Sequence, residues 1–296
     1  MIEACVWNEW YPVAVVDDVA PGRQYQSHLL NERISYWCTP DGEFSAQRET
    51  SNGSVPCRTQ TRYHLHWVSL GDPADDFFQI AEFAEPDRRI VGAGSMRVPT
   101  SGLRVVENFL DMAHFPFVHT GLLGEEPHTE VAPYQVHIDT EKDEIIATEC
   151  RFYQPQAAKS ASGGVDADYI YRVLRPFVAV LYKSSPVDSV RLDSIGLFVQ
   201  PLSDEQCIAH VVLCLIDEDS SDADLRQFQQ TIFGQDLMIL ANHIPRGLPL
   251  DPRFEVPTRA DGLSAAYRRW LRDKAIRFGT YQTDITQPDT TQPAIP

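Results

Sequence analysis

Between residues 134 and 217 six β-rich stretches follow one another with little helix between them: 134–138, 144–153, 169–175, 178–184, 194–201 and 208–217. Strands that follow so closely pair with their neighbours, which specifies an extended antiparallel sheet. Helical periodicity brackets the series. Upstream, 103–119 carries Val106, Leu110, Ala113 and Phe117 on one stripe. Downstream, 222–242 reads as one long helix with Ser221 or Asp222 as N-cap and Pro245 as its stop, and 264–278 as an amphipathic helix closed by Gly279. The fold class is α+β.

Ahead of this unit, residues 10–73 read as short strands punctuated by Pro-Gly and Asp-Gly, a small antiparallel β region. Within it 47–56 is polar and rich in turn formers and is expected to be a loop, and strand character returns at 61–70. A polar, acidic connector follows. Residues 157–164 read as a loop, and 284–296 as a tail with too few apolar residues to pack. The expected division is 1–75, 76–283 and 284–296.

At 296 residues and 43% hydrophobic content the chain can fill a real core. No run approaches the roughly 18 apolar residues of a membrane span, and the opening lacks the basic-then-apolar layout of a signal peptide, so a cytoplasmic location is expected. The net charge of −17 repels nucleic acid and anionic membranes, and favours a neutral or cationic protein partner. Cys5, Cys38, Cys57, Cys150, Cys207 and Cys214 are scattered, without a Cys-x-x-Cys pair, and are expected to be buried thiols.

Chemistry concentrates in Glu-Asn-Phe-Leu-Asp-Met-Ala-His-Phe-Pro-Phe-Val-His, residues 107–119. On a helix Asp111 and His114 are neighbours, whereas His119 lies about 140° round from His114. Pro116 is expected to kink or end the helix between the two histidines and let His119 swing back. Asp236, in a mostly apolar stretch of the long helix, is costly to bury unless paired or bound to metal, and is the candidate third ligand. Two imidazoles and one carboxylate with open positions suit non-haem Fe(II) and its reaction with O₂. The same donors can hold zinc for hydrolysis. His28, His128, His137, His210 and His243 are expected to be ordinary core or surface residues, and His64 and His66 to lie on a strand surface.

The 107–119 run resembles the signature of the Rieske non-haem iron oxygenases. The resemblance covers most of the chain, including Trp10-Tyr-Pro-Val-Ala, Trp67-Val-Ser-Leu-Gly-Asp-Pro, Gln235-Asp236 and Tyr267-Arg-Arg-Trp270-Leu-Arg. It implies an emptied Rieske-like β domain followed by a helix-grip, START-like antiparallel sheet with long helices. It also implies His114, His119 and Asp236 as ligands of a mononuclear iron, and Asp111 as the carboxylate that couples a ligand histidine to the electron donor. The departure is in 49–56, Glu-Thr-Ser-Asn-Gly-Ser-Val-Pro, where the family inserts Cys-x-His and Cys-x-x-His loops for a [2Fe–2S] cluster.

A cluster-free layout resembles family members that hydroxylate an N-methyl group of a methylxanthine and release formaldehyde. It implies electrons from NADH through a separate Rieske-containing reductase, a glutathione-transferase-like structural subunit, and an oligomer. Competing readings are a non-catalytic scaffolding subunit and an oxygenase of another aromatic substrate. Asn242, Gln235 and Phe177 are candidate substrate anchors.

Overall fold

The computed structural model describes residues 2–73, 77–156, 163–185, 187–188, 190–217 and 219–282. The tail at 284–296 and most of the loop expected at 157–164 lie outside them. After a single turn, α1 (Ala4–Trp7), come β1 (Tyr11–Val15), β2 (Gln24–Leu29), β3 (Glu32–Cys38), β4 (Phe44–Thr50), β5 (Gly53–Pro56), β6 (Arg58–Arg62) and β7 (Leu65–Ser69). They form two sheets, ordered β2-β3-β4-β5 and β1-β7-β6. Leu30 and Asn31 both have positive φ, the backbone that a two-residue turn between β2 and β3 requires.

The stretch expected to be a loop, 47–56, is instead a hairpin in which Thr50 pairs with Gly53 and Gln47 with Pro56. β5 is exposed along its whole length. An edge strand with no buried face carries no alternation, which is why only its turn formers were visible.

The larger sheet contains β8 (Arg89–Val98), β9 (Gln135–Asp139), β10 (Glu144–Gln154), β11 (Val165–Arg175), β12 (Val178–Ser184), β13 (Leu192–Ser203) and β14 (Gln206–Leu215). Its order is β8-β14-β13-β12-β11-β10-β9, an antiparallel meander closed at one edge by β8. β8 falls in the stretch read as a connector. Gly92 and Gly94 interrupt its pattern, and a register shift lies opposite them, between Val211 and Val212. A Cβ on Gly92 would stand 2.7 Å from Val15, so the glycine lets β1 approach the sheet.

Helices α2 (Gly102–Leu110), α3 (Phe115–Val118), α4 (Asp222–Leu240) and α5 (Gly262–Asp273) cover this sheet. Two-residue strands β15 (Leu248–Pro249) and β16 (Thr280–Tyr281) pair in parallel beyond them. α2 buries Leu103, Val105, Val106 and Leu110, each worth about 1.5–3 kcal/mol by removal from water. Ser221 caps α4 by accepting from the Asp224 N–H at 3.1 Å. Arg226 and Gln230 of α4 donate to the Gly92 and Ala93 carbonyls at 2.9 and 2.8 Å, which tie the helix to the irregular strand. Among the described residues no helix is long and apolar enough to cross a membrane.

The run expected to be one helix broken at Pro116 is broken earlier. α2 stops at Leu110, Asp111 is extended, and its carboxylate accepts the Ala113 N–H at 2.8 Å. That local bond competes with the helical one and ends the helix. Pro116 lies in the first turn of α3, where its missing N–H costs nothing.

Candidate metal centre

Three side chains from α4 and the two ends of α3 meet at one point. His114 is the N-cap of α3 and His119 its C-cap, and Asp236 projects from the third turn-pair of α4 toward both. Nε2 of His114 and Nε2 of His119 are 3.1 Å apart. Asp236 Oδ1 lies 3.3 Å from the first and 3.1 Å from the second. Donor atoms about 2.1 Å from an ion stand ~3.0 Å apart at right angles and ~3.4 Å apart at tetrahedral angles. The triangle therefore accepts a small divalent cation as it stands, and its edges alone do not choose between iron and zinc.

Each imidazole is held by its other nitrogen. Nδ1 of His114 is 2.9 Å from Asp111 Oδ2, and Nδ1 of His119 is 2.8 Å from Gln235 Oε1. Both partners can only accept here, so each Nδ1 carries the proton and each Nε2 keeps its lone pair for a cation. Asn108 of α2 donates to Asp236 Oδ1 at 3.0 Å. Phe115 packs edge-on against His114, with ring centroids 5.1 Å apart.

Without an ion the cluster holds protons tightly. Burial alone would pull His114 down, but Asp111 and Asp236 overcome it and lift the imidazole to about 9. Burial raises Asp236, and hydrogen bonds from His114 and His119 overcome that and bring it to about 2. Asp111 is likewise lowered, against its burial, by His114. Two carboxylates facing two imidazoles in a buried site are the electrostatic complement of a cation.

Sequence reasoning missed Asn108 altogether and misassigned Gln235, which it offered as a substrate anchor and which instead orients His119. Asn242 is exposed and donates to the Met238 carbonyl at 2.6 Å, and Phe177 packs on Tyr11 in the core at 5.6 Å. Neither borders the cavity described below. His64 lies in a left-handed turn beside Asp17, and His66 is buried, stacked on Phe44 at 4.1 Å. The pair is therefore not on one strand surface, because the β6–β7 turn falls at 63–64 and only His66 enters β7. Nε2 of His66 is 3.6 Å from Cys38 Sγ, a single thiol–imidazole contact where a Rieske centre needs two of each. Cys5 is exposed and Cys57 half-buried, against the expectation of buried thiols throughout, while the other four are buried.

A cavity of about 120 Å³ abuts His114, His119 and Asp236. Its walls are apolar, including Phe109, Leu181, Ile195, Leu197 and Phe233. Polar groups enter it from the sheet: Gln154, Tyr169, Tyr171, Lys183 and Asp193. Asp111 does not border this cavity; it lines a separate cleft with Arg104, Glu107, Glu255 and Arg268.

Comparison with known proteins adds the family. The model described as the vanillate O-demethylase oxygenase C-terminal domain matches residues 98–277. The chain is 53% identical over 275 residues to the "Probable methylxanthine N7-demethylase NdmC" of Pseudomonas sp. (strain TJI-51), covering 93% of this chain and 96% of that protein. It is 25% identical to the methylxanthine N1-demethylase NdmA of Pseudomonas putida, over 72% of this chain and 59% of the other. The solved structure of Pseudomonas putida CBB5 NdmA with caffeine has a TM-score of 0.71 at 20% identity, covering 89% of each chain. Dicamba monooxygenase bound to dicamba has a TM-score of 0.69 at 17% identity, covering 91% of this chain and 98% of that one. At these identities the structural likeness speaks for the fold.

Proposed function

The chain belongs to the Rieske oxygenases, in the group of methylxanthine N-demethylase oxygenases, and we propose that it removes the N7-methyl group of 7-methylxanthine. The observation that carries this reading is 53% identity, across nearly the whole of both chains, to a protein named as an N7-demethylase. The geometry supports it, because the only cavity that touches His114, His119 and Asp236 among those described is apolar, enclosed by sheet and helices, and edged with a few polar groups.

His114 Nε2, His119 Nε2 and Asp236 Oδ1 would hold the mononuclear iron that this family uses with O₂. When bound, Fe(II) supplies the O₂ chemistry that inserts an oxygen into a C–H bond of the N-methyl group. The N–C bond then breaks to leave N7–H and formaldehyde, and the second oxygen leaves as water. Two electrons come from the substrate and two from outside. Gln235 and Asp111 fix the ligand tautomers, Asn108 orients Asp236, and Phe109, Phe115 and Phe233 keep water from the reacting methyl group.

The outside electrons would come from NADH through a separate reductase carrying its own Rieske cluster, since residues 49–56 lack the cluster-binding loops. Asp111 supports this route: it touches His114 and borders a cleft separate from the substrate cavity, so a donor can approach without crossing that cavity. A glutathione-transferase-like subunit, an oligomeric assembly and a cytoplasmic location complete the reading. The test is product identity. Iron-loaded protein with a suitable donor should convert 7-methylxanthine to equal amounts of xanthine and formaldehyde and leave 1- and 3-methylxanthine untouched; formaldehyde from those isomers instead would overturn the N7 assignment.

A further inference from the structure

Strands β10 to β13 set a polar ladder into the wall of an otherwise apolar cavity. Tyr169 of β11 pairs with Lys183 of β12, and Lys183 pairs with Asp193 of β13, so their side chains share one face of the sheet. Tyr171, two residues along β11, shares that face, and Gln154 ends β10 with its side chain reaching the Tyr169 hydroxyl. All five border the cavity. Gln154 is 1% and Tyr171 0% exposed, yet Gln154 Oε1 and the Tyr171 hydroxyl have no hydrogen-bond partner among the described residues. Leaving such an atom unpaired is unfavourable, and a ligand bearing complementary groups removes that penalty.

Lys183 adds a donor. It is 7% exposed and its ammonium lies 5.9 Å from the Tyr169 ring centroid, opposite Asp193. Burial pulls it down to about 7, with Asp193 opposing. The wall therefore offers an amide acceptor, an amine donor and a phenol able to play either part.

This ladder complements one edge of a purine dione. With N7 directed at the triad, the far edge presents the C2 carbonyl between N1–H and N3–H, an acceptor flanked by two donors. We propose that Gln154, Lys183 and Tyr171 form the specificity wall that reads this edge, with Gln154 Oε1 accepting a ring N–H, Lys183 donating to the C2 carbonyl and Tyr171 accepting the second N–H. The inference rests on the N7 reading above. It assigns selection against N1- and N3-methylated purines to these side chains, because a methyl group in place of either N–H removes the donor and leaves the acceptor unpaired.

The test measures binding of 7-methylxanthine, 1,7-dimethylxanthine and 3,7-dimethylxanthine to the Fe(II)-loaded protein without O₂, by calorimetry, for wild type, Gln154→Leu and Tyr171→Phe. Tyr171→Phe removes one oxygen without changing shape, so it keeps the test valid if Gln154→Leu fails to fold. The expected result is that wild type prefers 7-methylxanthine, and that each variant binds it at least about 10-fold more weakly while at least one dimethyl congener changes by less than about 3-fold. Unchanged affinity for 7-methylxanthine in both variants, or an equal loss for all three ligands, overturns the specificity wall while the N7 reading stands. Wild-type protein that binds none of the three overturns both.

Discussion

The side-chain carbonyl of Gln235 lies 2.8 Å from Nδ1 of His119, and the residue next to it, Asp236, meets the same imidazole at Nε2 from 3.1 Å. One helix thus supplies both a candidate ligand and the group that orients its neighbour. Gln235→Leu should therefore weaken Fe(II) affinity by roughly 10–100-fold, read by competition with a chelator, with Gln235→Glu restoring most of it. Equal affinity in Gln235→Leu and wild type would show that Nδ1 needs no partner.

His114→Ala, His119→Ala and Asp236→Ala should each abolish iron retention while leaving far-ultraviolet circular dichroism unchanged, because the triad is at the edge of the cavity and the sheet packs without it. Stoichiometric iron in any of the three purified variants would remove that residue from the ligand set.

Asp111 is asked to do something different. Its carboxylate orients His114 and borders a cleft separate from the substrate cavity. Asp111→Asn should keep most of the iron and lose most of the donor-dependent turnover. Turnover at the wild-type rate would sink the coupling role, and loss of iron in parallel with activity would reduce Asp111 to a support for His114.

Stability should fall with acid in a way traceable to one buried residue. Burial drives His210 from its ordinary value of 6.5 down to about 3, with Nδ1 against Ser95 Oγ at 2.9 Å. Between those values the unfolded chain binds a proton that the folded chain refuses. The stabilisation is therefore complete above about pH 6.5 and is lost as pH falls, at about 1.4 kcal/mol per unit from this group. Urea unfolding of His210→Gln should show a shallower loss between pH 6 and pH 4 than wild type; an identical slope would place the acid sensitivity elsewhere.

Much of this architecture was legible in the sequence. The strands from β9 to β14 are rich in β-branched and aromatic residues and could be read one by one, although β12 to β14 are buried almost continuously and do not alternate, and α4 announces itself through Ser221 and its length. β5 and β8 were not legible, the first because neither face is buried, the second because Gly92 and Gly94 give up side-chain pattern to let β1 and α4 approach. At the site, residue types and spacing in 107–119 pointed to His114, His119 and Asp111, but the break in the helix comes from the Asp111 carboxylate and not from Pro116. Asn108 and Gln235 lie in stretches that carry the family resemblance, but their roles were not legible, since an amide that supports a candidate ligand looks like any other amide until the fold brings it within 3.0 Å. The same holds for Gln154 and Tyr171, whose side-chain oxygens find no hydrogen-bond partner among the described residues, a property that no sequence pattern records.

A chain without cluster loops that acts as an oxygenase must run on electrons delivered from outside. The measurement is formaldehyde formed from 7-methylxanthine, NADH and O₂ by the iron-loaded protein, supplied in turn with a flavin–plant-type-ferredoxin reductase and with one that also carries a Rieske domain. Stoichiometric formaldehyde is expected with the second and little or none with the first; equal rates with both reductases would contradict delivery from a Rieske donor.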